Sequence, residues 1–79
     1  MKKTHKERYR QIGLKIAYYR KLRGMTQEVL AEQVEKTSAF IGHLEAPNVD
    51  KGISLDTLFD IADVLNVPPQ RFLMFEEDL

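Results

Sequence analysis

Residues 26–45 read TQEVLAEQVEKTSAFIGHLE, and their pattern indicates two short helices in close succession. Thr26 is a suitable N-cap for the first helix, because its hydroxyl can accept a hydrogen bond from an amide of the first turn. Apolar residues then recur at helical spacing at Leu30, Ala31 and Val34. The pattern predicts a helix over residues 26–34.

The second helix of this segment begins only a few residues later. Thr37 or Ser38 provides its N-cap, and the apolar residues that follow continue the helical spacing until Pro47 ends it. The pattern predicts a helix over residues 38–46. Two short helices joined by a tight turn, the second one capped by a hydroxyl residue, describe a helix-turn-helix.

Helical patterns also flank this segment on both sides. Apolar residues at helical spacing after residue 8 predict a first helix that ends at Gly24. The same reasoning predicts a fourth helix over residues 55–66 and a short fifth helix over residues 69–75, with Pro69 at its first position. No segment alternates apolar and polar residues as a strand does, so the expected fold is all-α with five helices.

The length of 79 residues allows only one domain. We divide the chain into a basic arm over residues 1–8, a helix-turn-helix domain over residues 9–75 and an acidic tail over residues 76–79.

The absence of cysteine excludes disulfides and cysteine-ligated zinc. Every apolar run is far shorter than the roughly 20 residues that a membrane span needs, and no apolar region follows the basic start to make a secretory signal. We therefore expect a soluble, cytoplasmic protein with no membrane partner.

The formal net charge of zero conceals a strong asymmetry along the chain. Residues 1–23 contain nine basic residues and one acid, a net charge of +8, whereas residues 24–79 contain three basic residues and eleven acids, a net charge of −8. A basic end favours a polyanionic partner, either nucleic acid or an anionic membrane surface. The alternative is that the two halves neutralise each other within one fold.

The sequence contains no motif of catalysis or of cofactor binding. It has no phosphate-binding G-x-x-x-x-G-K-[ST], no nucleophile elbow G-x-S-x-G and no zinc-protease H-E-x-x-H. The two histidines, His5 and His43, have no partners at ligand spacing, so we expect no metal site. We therefore predict neither an enzyme nor a protein that binds a cofactor or a small molecule.

The helix-turn-helix segment resembles that of the Cro/repressor (XRE-type) family, whose domains are lambda-repressor-like. The resemblance extends from residue 12 to about residue 73, and its residues stand in the family's order and at nearly its spacings: Ile12, Gly13, Ile16, Arg20, Gly24, Thr26, Gln27, Leu30, Ala31, Ile41, Leu44, Glu45, Ser54, Leu58, Ile61, Ala62, Leu65 and Val67. It implies a compact five-helix bundle in which helices 2 and 3 form the motif and helix 3 lies in the major groove of DNA.

Glu45 is unfavourably placed for a carboxylate, because it lies near the C-terminus of helix 3, where the helix dipole is negative. It therefore needs a cationic partner. The family pairs this glutamate with an arginine, and the resemblance implies that Arg20 forms that ion pair here. The alternative is a solvated Glu45.

Contacts with DNA follow from the resemblance and from the charges. The candidate phosphate contacts are at the start of helix 2 and at lysines of the arm, the turn and the loop: Thr26, Gln27, Lys36, Lys51, Lys2 and Lys3. The family's base-reading positions in helix 3 correspond to Ser38, Ala39, Gly42 and His43. Serine is short, alanine reaches only a thymine methyl group and glycine contacts nothing, so only His43 offers a hydrogen bond to a guanine edge. We therefore expect weak direct reading of the bases.

The turn between helices 2 and 3 departs from the family's pattern. Glu35 stands where the family usually has a glycine with positive φ, so we expect backbone strain at this residue. Lys36 replaces a residue that is usually apolar. The loop after helix 3 is longer than usual and lacks the family's Asn-Gly ending.

Helix 1 has a second apolar stripe, and the C-terminal segment FLMF is unusually apolar. These residues either cover one another within the chain or form a dimer surface, and we expect both. The dimer candidates are Leu14, Tyr18, Leu22, Phe72, Met74 and Phe75.

These features favour a transcription regulator that binds double-stranded DNA as a homodimer and reads its sequence weakly. The alternative is a protein-interaction module on the same fold, such as an antitoxin-like or anti-repressor domain. The short base-reading side chains and the acidic helices 2 and 4 suit that alternative.

Overall fold

The computed structural model describes residues 5–47 and 52–75, which form four α-helices and one 3₁₀ helix. The elements in chain order are α1 (Lys6–Leu22), α2 (Gln27–Gln33), α3 (Ser38–Glu45), α4 (Leu55–Leu65) and the 3₁₀ helix (Pro69–Leu73). Neither of the two described ranges contains a strand, in agreement with an all-α fold. The candidate phosphate contacts Lys2, Lys3 and Lys51 and the acidic tail 76–79 lie outside the described residues.

The prediction of five α-helices is wrong at the last element, which is a 3₁₀ helix. The amide of Arg71 donates to the carbonyl of Pro68 at 3.0 Å, which is the three-residue spacing of a 3₁₀ turn. Two adjacent prolines supply no amide hydrogen to a longer helix. Met74 is already extended, at φ −94° and ψ 110°, so only a short turn fits before it.

α1 begins at Lys6, earlier than the apolar pattern indicates, so residues 6–8 of the basic arm form its first turn. Glu7 in this turn lies at the positive end of the helix dipole. The guanidinium of Arg10 donates to its carboxylate at 2.8 and 2.6 Å, and these hydrogen bonds lower the pKa of Glu7. Polar contacts, which apolar periodicity does not detect, therefore extend the helix.

A single apolar core joins all five elements. The largest side chains that are fully shielded from solvent come from every one of them: Ile16, Leu30, Ile41, Leu58, Ile61, Leu65 and Phe72. α3 packs against both α1 and α2, and the 3₁₀ helix packs against α1 and α4. α1 and α2 therefore support α3 on its apolar side.

Phe72 and Phe75, two of the dimer candidates, are core residues of the single chain and are covered within it. The ring of Phe72 meets Tyr19 edge-on with 5.6 Å between centroids. Phe75 lies against α1, where Arg8 and Lys15 place their cationic groups 5.8 and 5.2 Å from its ring centroid. The C-terminal segment thus folds back onto α1, and the dimer candidates that stay exposed are Leu14, Tyr18, Leu22 and Met74.

The backbones of α1 and α3 come into contact at Gly13. A Cβ atom at this position would collide with the carbonyl oxygen of Leu44 and would lie 3.1 Å from its carbonyl carbon and 3.3 Å from Cα of Glu45. The obstacle is backbone, which cannot rotate away as a side chain can, so only glycine fits. This contact fixes the last turn of α3 against α1.

Among the described residues, two that are not glycine have a left-handed backbone conformation: Glu35, in the turn after α2, with φ 58°, and Asn66, after α4, with φ 56°. The prediction for Glu35 is thereby confirmed. Asn66 ends α4 in a Schellman motif, in which the amide of Val67 donates to the carbonyl of Ala62 at 3.0 Å. Asparagine tolerates this conformation better than glutamate does, so the greater strain falls on Glu35.

Gly13→Ala is expected to lower the free energy of unfolding by about 2–3 kcal/mol, because the new methyl group forces α1 and α3 apart. Gly42→Ala is the matched control in a second helical glycine, since its Cβ would lie 3.5 Å from the nearest atom, an ordinary contact. Helix propensity predicts that this control gains up to about 1 kcal/mol. Urea unfolding measures both, and a Gly13→Ala variant of unchanged stability would contradict the close approach of α1 and α3.

Glu35→Gly is expected to raise the free energy of unfolding by about 0.5–1 kcal/mol, because relief of Cβ strain exceeds the added chain entropy. Gln33→Gly in α2 is the control. Because Gln33 has helical dihedrals, the introduced glycine should lower the free energy of unfolding by about 1 kcal/mol there. Thermal and urea unfolding compare the two variants. Destabilisation by Glu35→Gly would show that the turn does not strain this residue.

Candidate nucleic-acid interface

Arg20, on the inner side of α1, is a buried cation that holds the end of α3. Its Nε donates to Oε2 of Glu45 at 2.7 Å, and its Nη2 donates to Oε1 at 2.9 Å. The two side chains are only 9% and 7% exposed. Nη1 donates to the carbonyl of Met25 at 2.8 Å, so the same guanidinium fixes the turn between α1 and α2. The hydrogen bonds with Glu45 raise the pKa of Arg20, which keeps it charged.

Gln27, the first residue of α2, is a third partner in this cluster. Its Nε2 donates to Oε1 of Glu45 at 3.0 Å. A single carboxylate therefore joins the end of α3 to α1 and to the start of α2. Sequence reasoning gave Gln27 only a phosphate contact and missed this hydrogen bond, because nothing in the spacing of residues 27 and 45 shows which side chains will meet.

Threonine hydroxyls set the points where α2 and α3 begin. Oγ1 of Thr26 accepts a hydrogen bond from the amide of Val29 at 3.1 Å, and Oγ1 of Thr37 accepts one from the amide of Phe40 at 3.0 Å. Thr37, rather than Ser38, is thus the N-cap of α3. Each cap satisfies one amide of the first turn, and the remaining amides at a helix start are the groups that bind phosphate in proteins.

The four base-reading candidates, Ser38, Ala39, Gly42 and His43, lie along one side of α3 and are called the reading face below. Three of them are exposed and Gly42 is half-buried, whereas Ile41 and Leu44 of the same helix are buried. Exposed and buried residues alternate in this way along α3, so the reading face lies on a different side of the helix from the residues that face the core.

Gln27 borders the reading face at Gly42. A Cβ atom at Gly42 would lie 3.5 Å from Oε1 and 4.0 Å from Nε2 of Gln27, so the two residues are in close proximity. The start of α2 and the reading face of α3 therefore form one continuous surface. The Gln27–Glu45 hydrogen bond supports this surface from inside the fold.

Lys36, a candidate phosphate contact, is exposed in the turn that precedes α3. Its amide donates to the carbonyl of Ala31 at 2.9 Å, which closes the turn. Its Nζ lies 5.4 Å from the ring centroid of Phe40, within cation–π range. The ammonium group is thus held near the N-terminal end of α3.

Several cations of the basic N-terminal part make contacts within the fold. Nε of Arg23 donates to the carbonyl of Leu65 at 2.8 Å, at the negative end of the α4 dipole. Nζ of Lys15 donates to the carbonyl of Met74, and Arg20 is paired as described. Part of the charge asymmetry therefore stabilises the fold, as the alternative interpretation of that asymmetry holds.

No helix in the described part of the chain is long and apolar enough to cross a membrane. Within residues 5–47 and 52–75, no three His, Cys, Asp or Glu side chains come together as a group able to hold a metal ion.

A family model described as helix-turn-helix matches residues 16–72. The fold is similar to the crystal structure of the restriction-modification controller protein C.AhdI from Aeromonas hydrophila, with a TM-score of 0.78 and 22% identity over 86% of this chain and 96% of that chain. It is also similar to SinR, a master regulator for biofilm formation whose structure was determined in complex with DNA, with a TM-score of 0.73 and 28% identity over 80% of this chain and 98% of that chain. No curated protein matches the sequence.

Arg20→Ala is expected to lower the free energy of unfolding by about 2–4 kcal/mol, because it leaves the buried Glu45 carboxylate without its cation. Arg10→Ala is the control, since it removes an exposed ion pair with Glu7 of similar length. An exposed pair contributes about 0–1 kcal/mol. Urea unfolding separates the two cases, and a loss of under about 0.5 kcal/mol for Arg20→Ala would contradict the structural role of the pair.

Proposed function

The chain belongs to the helix-turn-helix family of the Cro/repressor (XRE) type, and from this premise we propose that it is a DNA-binding transcription regulator. In this proposal α3 enters the major groove of double-stranded DNA, and the regulator acts in the cytoplasm as a homodimer without enzymatic activity. The observation that carries the proposal is the continuous surface of Gln27 and the reading face, supported from inside by Arg20 and Glu45.

Affinity comes mainly from phosphate contacts in this proposal. The start of α2 offers its amides beside Thr26, and the Gln27 carboxamide has a second Nε2 hydrogen besides the one given to Glu45. Lys36, held near the N-terminal end of α3, adds a cation beside the same groove. Lys2, Lys3 and Lys51 are further proposed contacts that lie outside the described residues.

Base reading rests on few groups. Ser38 and Ala39 are exposed but short, and Gly42 has no side chain, which leaves His43 as the hydrogen-bonding reader of the face. Specific and non-specific binding typically differ by about 4–10 kcal/mol. One such helix cannot supply that difference, so two copies act together on half-sites about 34 Å apart.

A protein-interaction module on the same fold is the second candidate function. It is favoured by the exposed apolar side chains of α1 and by the absence of long polar side chains from the reading face. Binding to random duplex at low salt decides between the two functions. A DNA-binding regulator binds with strong salt dependence, whereas an interaction module shows no such affinity.

Lys2→Ala/Lys3→Ala is expected to weaken binding to operator and to random duplex by similar factors, because phosphate contacts carry no sequence information. The slope of log affinity against log salt should fall by about 0.9 for every DNA phosphate that the variant no longer neutralises. Fluorescence anisotropy with a selected operator and a random duplex, at several salt concentrations, measures both quantities.

The control for this pair of substitutions is Arg71→Ala. Arg71 is exposed on the 3₁₀ helix, which packs on α1 and α4, so its removal should leave the salt slope unchanged. If the Lys2→Ala/Lys3→Ala variant keeps the full slope, the basic arm does not contact DNA.

A further inference from the structure

The outer side of α1 carries an apolar stripe with basic neighbours. Leu14, Tyr18 and Leu22 are 44%, 61% and 58% exposed, and Met74 of the C-terminal segment is 57% exposed beside them. Leu14, Tyr18 and Met74 line a groove of about 370 Å³, whose other lining residues are Glu7, Arg10, Gln11 and Lys15. The charged residues beside this stripe include the basic Arg10, Lys15 and Lys21 and the acid Glu7, so we call this surface the basic face.

α4 carries a second apolar patch with acidic neighbours. Leu55 and Phe59, one helical turn apart, are 60% and 43% exposed. Asp56, Asp60 and Asp63 are exposed on the same helix, and the sequence Leu55–Leu65 contains no basic residue. We call this surface the acidic face. Neither face uses a residue of α2 or α3.

Opposite charges around apolar centres make the two faces complementary to each other. Two basic faces brought together would repel, and so would two acidic faces. Aromatic side chains seated in grooves are the usual anchors of protein interfaces, and the groove on the basic face is large enough for the ring of Phe59 from a second copy.

We propose that the homodimer forms by docking the basic face of each copy on the acidic face of the other, with the partner's Phe59 in the groove beside Tyr18. The inference rests on the homodimer of the proposed function and specifies its surfaces. In a twofold dimer of this kind the two contacts are equivalent, because each copy gives its basic face to one and its acidic face to the other. The reading face of α3 takes no part, and both copies keep it available for DNA.

Two variants test this pairing. Leu14→Glu/Lys21→Glu places two carboxylates on the basic face, and Phe59→Lys/Asp63→Lys places two ammonium groups on the acidic face; all four residues are exposed on helices. Each variant alone places like charges at both contacts, so its dimer dissociation constant should rise about tenfold or more in sedimentation velocity. Circular dichroism and urea unfolding confirm that each variant is folded.

An equimolar mixture of the two variants should form a heterodimer more tightly than either variant forms a homodimer. One of its contacts then joins two unchanged faces, and the other brings the introduced carboxylates onto the introduced ammonium groups. The unsubstituted dimer should also weaken when salt rises from about 0.05 to 0.5 M, because salt screens exposed charges.

Three results would overturn the pairing. If the α4 variant alone dimerises normally, the acidic face is not part of the interface. If the α1 variant alone does so, the interface lies elsewhere, and if the mixture stays monomeric the two faces do not meet. These experiments contain no DNA, so they test dimerisation separately from DNA binding. If the chain binds duplex DNA but remains monomeric at high micromolar concentration, this inference is refuted and DNA binding stands. If the chain dimerises but binds no duplex DNA, only DNA binding is refuted.

Discussion

The ion pair between Arg20 and Glu45 is the interaction on which the rest of this structure depends. A carboxylate at the end of α3 opposes the helix dipole, and its burial would be costly without a cation. Arg20 supplies that cation from α1 and also holds the carbonyl of Met25. Gln27 completes the cluster from α2. Together with the backbone contact at Gly13, the pair fixes α1, α2 and α3 relative to one another. These contacts therefore set the orientation of the outer side of α3.

This arrangement separates the positioning of α3 from the reading of bases. Arg20, Glu45 and Gly13 orient the helix from its inner side, whereas the residues of the reading face are mostly exposed and mostly short. Short side chains make few base contacts, so phosphate contacts and a second copy take on the larger part of recognition in the proposed function. Lys15 of α1 and Arg23, just after this helix, bind carbonyls of the C-terminal half, so part of the N-terminal positive charge stabilises the fold.

The sequence predicts the fold well wherever a local rule decides it. Thr26 and Thr37 mark helix starts because a hydroxyl can cap only the turn that follows it. Glu35 is identifiable as strained because it stands where the family usually has a glycine with positive φ. The ion pair follows from the mismatch between Glu45 and the helix dipole together with the family's pattern. The sequence is less decisive where distant segments meet, since periodicity in FLMF does not show whether Phe72 and Phe75 turn inward onto α1, as they do, or outward. The Gln27–Glu45 hydrogen bond is missed for the same reason.

A double-mutant cycle on Arg20→Ala and Glu45→Ala tests the central role of the ion pair most directly. The free energies of unfolding of the unsubstituted chain, both single variants and the double variant give the coupling energy between the two side chains. We predict a coupling of about 2 kcal/mol or more, with the double variant more stable than the sum of the single losses implies, because removing both partners leaves no buried unpaired charge. Additive losses, with a coupling below about 0.5 kcal/mol, would contradict the account.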